Sequence, residues 1–290
     1  MTRRSKLGWG SKLSFPGEEI RLSVGSFCYS LIITNPYLFD FLTKYYDGFT
    51  SSQRNPDVVV SLYLNNGQNQ NRSHYLASGE PFFSYENGIL RSYFHKEERC
   101  FEAIIERAIL EGMNIRLLDK FLCQIYYTLL GPNRLSFIVH AAGIVHKDKG
   151  YVFSGPSGSG KTTVASLSYE DDAILNDEII ILEKNDNQFW VRSTPFAGPC
   201  LRKQEGFSLL KGVFLLKHAK ENSLVPLRKI DFVRKLFKEI AHPKPGSIPN
   251  NEIDHLKAID FCEQMFDRIP VYQLCFRPDR SIWKLIDEGT

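Results

Sequence analysis

Short apolar runs rich in β-branched and aromatic residues recur through the first hundred residues, separated by polar and glycine-containing segments. Runs of this kind are typical of β-strands. One stretch, residues 37–46, instead places its apolar side chains at the three- and four-residue spacing of an amphipathic helix. The pattern therefore predicts an α+β lobe, with strands at residues 20–23, 29–34, 58–64, 75–76 and 88–94.

Between residues 100 and 130 the apolar spacing becomes helical. The pattern predicts two connecting helices, broken near residues 112–114 and ended by the Gly-Pro-Asn sequence at 131–133. The chain thus divides into an N-terminal lobe with connecting helices, 1–133, and a second domain, 134–290. The apolar positions on which the two helices depend are Ile104, Ile105, Ala108, Ile109, Leu117, Leu118, Phe121, Leu122, Ile125 and Leu129.

The second domain alternates strand-like and helix-like segments, which is typical of an α/β fold. Two strands at its start are separated by a Lys-Asp-Lys-Gly turn, and polar segments separate most of the later elements. Strands are predicted at 137–145, 150–154, 173–182, 189–193, 212–216 and 271–276, and helices at 162–169, 230–240 and 251–265.

Composition places the chain among ordinary globular proteins. Its 290 residues are 43% hydrophobic and 24% charged, and the net charge of +3 is too small to indicate nucleic-acid binding. No apolar run approaches the roughly 18 residues that a membrane span requires, and no secretory signal is evident, so we expect a cytoplasmic protein. The six cysteines are scattered, which favours reduced thiols over disulfides or zinc sites.

The segment GPSGSGKTT carries the strongest chemical signal. It fits the phosphate-binding loop, G-x4-G-K-[ST], and it lies between a predicted strand and a predicted helix. Glycine-rich backbone can turn its N–H groups toward phosphate, Lys161 can reach the outer phosphates, and the Thr162 hydroxyl can bind Mg2+. A flexible Gly/Ser linker is the alternative. The predicted ligands are ATP and Mg2+, with nucleotide-binding residues Gly155, Pro156, Ser157, Gly158, Ser159, Gly160, Lys161, Thr162 and Thr163.

Two acids and a histidine near the loop are candidate catalytic groups. Asp177 and Glu178 interrupt the apolar segment ILNDEIIIL, where burying a carboxylate without a partner would cost free energy. They are candidates for metal binding and for accepting a proton, and the alternative is a solvated acidic edge. His140 lies in the apolar run before the loop, and by itself a core histidine satisfied by the backbone is the favoured interpretation.

These segments together resemble a known family. HAAGIV, GYVFSGPSGSGKTT, ILNDEIIIL and STPFAG are similar in order and spacing to the HPr kinase/phosphorylase-like proteins, whose fold is related to phosphoenolpyruvate carboxykinase. The resemblance covers roughly residues 125–290. The closing IPVYQLCFRPD resembles the end of small kinase-like members associated with peptide-modification gene clusters.

The resemblance implies transfer of the ATP γ-phosphate to a hydroxyl. Asp177 matches the general base of that family, His140 its active-site histidine, and Glu178 stands where a second, metal-binding aspartate usually lies. Thr162 would share the metal with Glu178. The acceptor is expected to be serine of a peptide or protein, or a small hydroxyl metabolite. A nucleotide-binding switch without transfer is the alternative function, and carboxykinase chemistry is a weaker one.

The sequence leaves the donor open among ATP, ADP, GTP and pyrophosphate. It also leaves the oligomeric state open and allows a homo-oligomer.

Overall fold

The computed structural model describes residues 17–50, 55–65, 79–84, 88–98, 100–111, 114–130, 135–196, 203–241 and 255–289. These residues form a mixed α/β structure with two mixed β-sheets and six α-helices, which confirms the predicted mixture of strands and helices. None of the helices in these ranges is long and apolar enough to cross a membrane.

The first sheet has six strands in the order β1-β2-β3-β6-β5-β4. Its three central strands, β2, β3 and β6, run parallel, and antiparallel strands cover both edges. The strands are β1 (Glu18–Val24), β2 (Phe27–Ile33), β3 (Val58–Asn65), β4 (Glu80–Ser84), β5 (Leu90–His95) and β6 (Cys100–Glu106). Predicted strand 75–76 lies outside the described residues.

The prediction of a helix from Ile104 to Ile109 is wrong. Its first part belongs to β6, and a short 3-10 turn, Arg107–Leu110, follows. The β6 backbone pairs with β3 on one side and β5 on the other, and most of its side chains are buried. A strand buried on both faces shows a continuous apolar run, which periodicity alone cannot distinguish from a helix. Tertiary pairing decides between the two.

Two helices pack on this sheet. The first, α1 (Pro36–Tyr45), begins after Asn35, whose side chain caps it by accepting a hydrogen bond from the Leu38 N–H at 3.0 Å. The second, α2 (Arg116–Leu129), carries a broad buried face and confirms the second connecting helix. Its predicted stop at 131–133 lies outside the described residues.

The second sheet holds the other eight strands. Its long strands β7 and β12 each change partner along their length: β7 pairs first with β10 and then with β8, and β12 pairs first with β11 and then with β8 and β14. The pairings β7-β10-β11-β12-β8 therefore close into a ring. The strands are β7 (Leu135–His146), β8 (Lys149–Ser154), β9 (Ala173–Asn176), β10 (Ile179–Asn185), β11 (Gln188–Arg192), β12 (Phe207–His218), β13 (Ser223–Pro226) and β14 (Val271–Phe276).

Four further helices belong to this lobe. The short α3 (Lys161–Ser166) follows the glycine-rich motif, α4 (Lys229–Glu239) and α5 (His255–Phe266) pack against each other, and α6 (Ser281–Gly289) ends the described chain. The apolar patterns around 162–169, 230–240 and 251–265 thus predicted real helices, although α3 is shorter than expected. Neither β13 nor α6 was predicted from the sequence.

The two lobes share packing and hydrogen bonds. Ile138, Ile181 and Phe196 of the second lobe belong to the same buried cluster as the first sheet and α2. The hydroxyls of Tyr126 and Ser136 form a hydrogen bond of 2.7 Å across the boundary between the lobes. The end of α2 is therefore fixed against β7, which forms a hairpin with β8, the strand before the glycine-rich motif.

Candidate functional site

The motif forms a loop between β8 and α3, as the sequence predicted. Pro156, Ser157 and Gly158 are exposed at its tip. Gly160 has a φ of 101°, and a Cβ there would lie 2.5 Å from the Phe276 ring. Only glycine combines that conformation with so close an approach. The loop shape thus depends on a packing partner from β14, at the far end of the chain.

Lys161 turns back over this loop. Its Nζ donates to the carbonyl oxygens of Gly155 at 2.8 Å and Pro156 at 3.2 Å, and the side chain is buried. Burial lowers the pKa of the Lys161 ammonium group. The negative charges of Glu239, Glu178 and Asp177 act in the opposite direction and favour the ammonium form. The loop lysine therefore lies within the electrostatic field of three carboxylates.

The hydroxyl groups of the loop differ in exposure. Thr162 is exposed at the start of α3 and Thr163 is half-buried. Ser159 Oγ is buried and, among the residues that the structure describes, has no hydrogen-bond partner. Thr162 is thus available to a ligand at the loop surface, while Ser159 lies beneath it.

Asp177 and Glu178 occupy a break in what the sequence predicted as one strand, 173–182. The segment is two strands, β9 and β10, and the acids form the turn between them. Asp177 is only 1% exposed, and Glu178 is half-buried. The acids are therefore not a fully solvated acidic edge.

Asn176 holds this acid turn in place and is fully buried. Its Oδ1 accepts hydrogen bonds from the backbone N–H groups of Glu178 at 2.8 Å and Ile179 at 3.1 Å. Its Nδ2 donates to the carbonyl oxygens of Thr194 and Phe196, both at 3.0 Å. One amide thus connects the acids to the segment that follows β11.

Replacing Asn176 with Ala should destabilise the protein by about 2–3 kcal/mol, because several buried backbone groups lose their partner. Chemical denaturation measures the loss. Asn185→Ala, at an exposed strand end, is the matched control and should change stability by less than about 0.5 kcal/mol. Equal stability of the two variants would contradict the role given to Asn176.

His140 lies on β7 directly opposite Ile179, just after the acid turn. Its side chain is 35% exposed, and Nδ1 lies 3.0 Å from Glu239 Oε2. The favoured interpretation of His140 alone, a buried core histidine, is therefore wrong. Glu239 is the last residue of α4, which is tied to β7 where the Ala241 N–H donates to the Ile138 carbonyl at 2.8 Å.

Three residues of the site were missed by sequence reasoning. Glu239 is 99 residues from its partner His140, and Arg116 is 62 residues from Glu178, so no local pattern relates either pair. Arg116 Nη1 and Nη2 donate to the two Glu178 carboxylate oxygens at 3.3 and 3.4 Å. His218 donates from Nε2 to the Gly158 carbonyl at 2.9 Å and stacks on Phe276. His218 therefore supports the loop tip.

The segment after the acids has a structural role in the described part. Thr194 Oγ1 donates to the Ile179 carbonyl, and Lys203 Nζ donates to the carbonyls of Pro195 and Phe196 at 2.9 and 2.8 Å. Lys203 thus supports this segment through its backbone. Gly198, the last residue of the STPFAG segment, lies outside the described residues.

A magnesium site is compatible with the donors present, though they do not form a complete cage. Within the described ranges, no three His, Cys, Asp or Glu side chains are placed to hold a metal by themselves. Mg2+ commonly binds through one or two carboxylates, with phosphate oxygens and water completing its shell. The Thr162 hydroxyl and the Glu178 carboxylate match that hard-oxygen chemistry, although Arg116 contacts both Glu178 oxygens here.

No protein-family model matches the chain, and a search of curated proteins finds no match. The assignment of function therefore depends on the residues and contacts described above.

Proposed function

We propose that the protein is an ATP-dependent kinase that transfers the γ-phosphate to a hydroxyl group, either serine of a peptide or protein or a hydroxyl of a small metabolite. One observation carries the proposal. The lysine of a phosphate-binding loop, which donates to the loop carbonyls of Gly155 and Pro156, lies within the electrostatic field of three carboxylates from two segments. These are Asp177 and Glu178 of the acid turn and Glu239 at the end of α4. A phosphate cradle beside carboxylates has the groups that phosphoryl transfer needs.

The second lobe is, in this proposal, a nucleotide-binding lobe of the HPr kinase type. Strand β8, the loop and α3 follow one another as a phosphate-binding motif requires. Lys161 would move from the loop carbonyls to the outer phosphates of ATP. Thr162 and Glu178 would hold Mg2+, which neutralises charge on the transferring phosphate when it is bound.

Asp177 is the proposed general base. The acceptor oxygen attacks the γ-phosphorus as the bond to the β–γ bridging oxygen breaks, ADP leaves, and Asp177 takes the hydroxyl proton. Its buried position excludes water from around the carboxylate. Glu239 orients the His140 ring through the Nδ1 contact, so that the other ring nitrogen is available to the reacting groups.

A nucleotide-dependent switch is the second candidate. The observation that favours it is the Arg116–Glu178 pair, which occupies the carboxylate assigned to the metal. A protein that keeps this pair while nucleotide is bound would bind ATP and transfer nothing.

Label transfer distinguishes the two. Purified protein is incubated with γ-labelled ATP, Mg2+ and a panel of serine-containing peptides and hydroxyl metabolites, and both labelled product and free phosphate are followed. The kinase proposal expects a labelled acceptor that requires Mg2+. Nucleotide binding with no label on any acceptor would support the switch, and absence of nucleotide binding would contradict both.

A further inference from the structure

A half-exposed ion pair joins the first lobe to the acid turn. Arg116 begins α2, and its two terminal nitrogens contact both oxygens of Glu178. The side chains of Arg116 and Glu178 are 39% and 24% exposed. One guanidinium from the first lobe thus engages the carboxylate to which the proposed function assigns Mg2+.

The geometry of this pair indicates a contact that opens easily. Charge-assisted N–H···O⁻ bonds are typically about 2.7–2.9 Å long, and the two contacts here are longer, at 3.3 and 3.4 Å. Water reaches both side chains and screens their attraction. The Glu178 backbone, by contrast, is held by Asn176. The carboxylate can therefore change partner while the acid turn stays in place.

The first turn of α2 is itself anchored. Asp119, three residues after Arg116, accepts hydrogen bonds from the hydroxyls of Tyr45 at 2.7 Å and Tyr46 at 3.0 Å. Asp119 and Tyr46 are buried, so this part of α2 is fixed to α1 and the residue after it. Arg116 is consequently presented to the site from a rigid support, and only its side chain needs to move.

We propose that Arg116 is a nucleotide-contacting residue of the phosphoryl-transfer site: it pairs with Glu178 until a divalent cation takes that carboxylate, and its guanidinium then contacts phosphate oxygens of the bound nucleotide. The planar guanidinium suits both partners, because its paired donors match carboxylate and phosphate equally well. The first lobe thereby becomes part of the active site. This inference rests on the proposed kinase function.

The exchange has a signature that a purely structural role lacks. Without Arg116, Mg2+ no longer competes for Glu178, so the cation should bind more tightly. The released guanidinium is also missing at the phosphates, so transfer should be slower. A loss of structural support would instead weaken both.

The test titrates Mg2+ against ATP binding by calorimetry and measures phosphate release from γ-labelled ATP, with water as acceptor. In Arg116→Gln, the Mg2+ concentration for half-maximal ATP binding should fall about two- to fivefold, as expected for loss of a weak ion pair. Phosphate release at saturating Mg2+ should fall about tenfold. Arg116→Lys keeps the charge without the paired donors and should show smaller changes in the same directions.

Arg192→Gln is the matched control, because Arg192 pairs with Glu183 on β10, away from the loop. It should leave the Mg2+ response and phosphate release unchanged. If Arg116→Gln does not fold, the Lys variant is judged by the same two measurements. An unchanged or weaker Mg2+ response, or unchanged phosphate release, overturns the role of Arg116. Label transfer from ATP to an acceptor by the wild type preserves the proposed function in that case. Failure of the wild type to bind ATP overturns both.

Discussion

Asp177→Asn should reduce phosphoryl transfer by about 10²- to 10⁴-fold, the usual contribution of a positioned general base. The substitution keeps the size of the side chain but removes the group that takes the proton. The ATP dissociation constant should change by no more than about threefold, because Lys161 and the loop remain in place. The substitution removes one negative charge near Lys161, a loss that does not oppose the binding of an anionic nucleotide. Label transfer to the acceptor and calorimetric ATP binding measure the two effects.

Asp186→Asn is the control for this variant. Asp186 lies in the exposed turn between β10 and β11 at a φ of 53°, a conformation that Asn tolerates well. Its transfer rate should equal that of the wild type. A normal transfer rate in the Asp177 variant would remove Asp177 from the mechanism, and a lost unfolding transition would show instead that the buried carboxylate supports the fold.

Lys161→Ala should weaken ATP binding by about tenfold or more. It should also lower the rate of phosphoryl transfer at saturating ATP. Hydrogen bonds to a charged group contribute roughly 1.5–3 kcal/mol, and the ammonium also stabilises charge that develops on the transferring phosphate. This outcome differs from that of Asp177→Asn, since here binding and transfer fall together. Calorimetry and label transfer, applied as for Asp177, separate the two patterns.

Because Lys161 is buried, a second variant is needed to separate the effect of its charge from its effect on the loop shape. Its ammonium donates to two loop carbonyls, so Ala could change the loop shape as well as the charge. Lys161→Met keeps most of the aliphatic stem and should give the same losses if the charge is responsible. Lys211→Ala, on the exposed face of β12, is the control and should bind ATP normally. Tight ATP binding by both Lys161 variants would contradict a phosphate role for this lysine.

Local patterns predicted much of the second lobe because the relevant interactions are close in sequence. The hairpin of β7 and β8 is closed by a two-residue turn in which Lys147 and Asp148 both have positive φ. The glycine-rich loop lies between adjacent elements, so its spacing could be recognised without the fold. The strand predicted over 173–182 failed only at Asp177 and Glu178, the two polar residues that interrupt its apolar run.

Other parts of the structure depend on contacts that no local pattern records. The segment Cys100–Glu106 has an apolar run that is compatible with either a helix or a strand. It forms a strand because its backbone pairs with β3 and β5. Gly160 matches the loop motif, yet its close contact with Phe276 comes from the last strand. In both cases the deciding partner lies too far along the chain for periodicity to reveal it.

The sequence by itself determined the glycine-rich motif, the strand and helix that flank it, and the candidate acids and histidine, because these follow from residue type and short spacing. Only the tertiary structure placed Glu239 beside His140 and Arg116 on Glu178, and put both acids within the electrostatic field of Lys161. The physical reason is that charge and hydrogen-bond pairing act through space. Folding brings together groups whose separation along the chain carries no information about their partners.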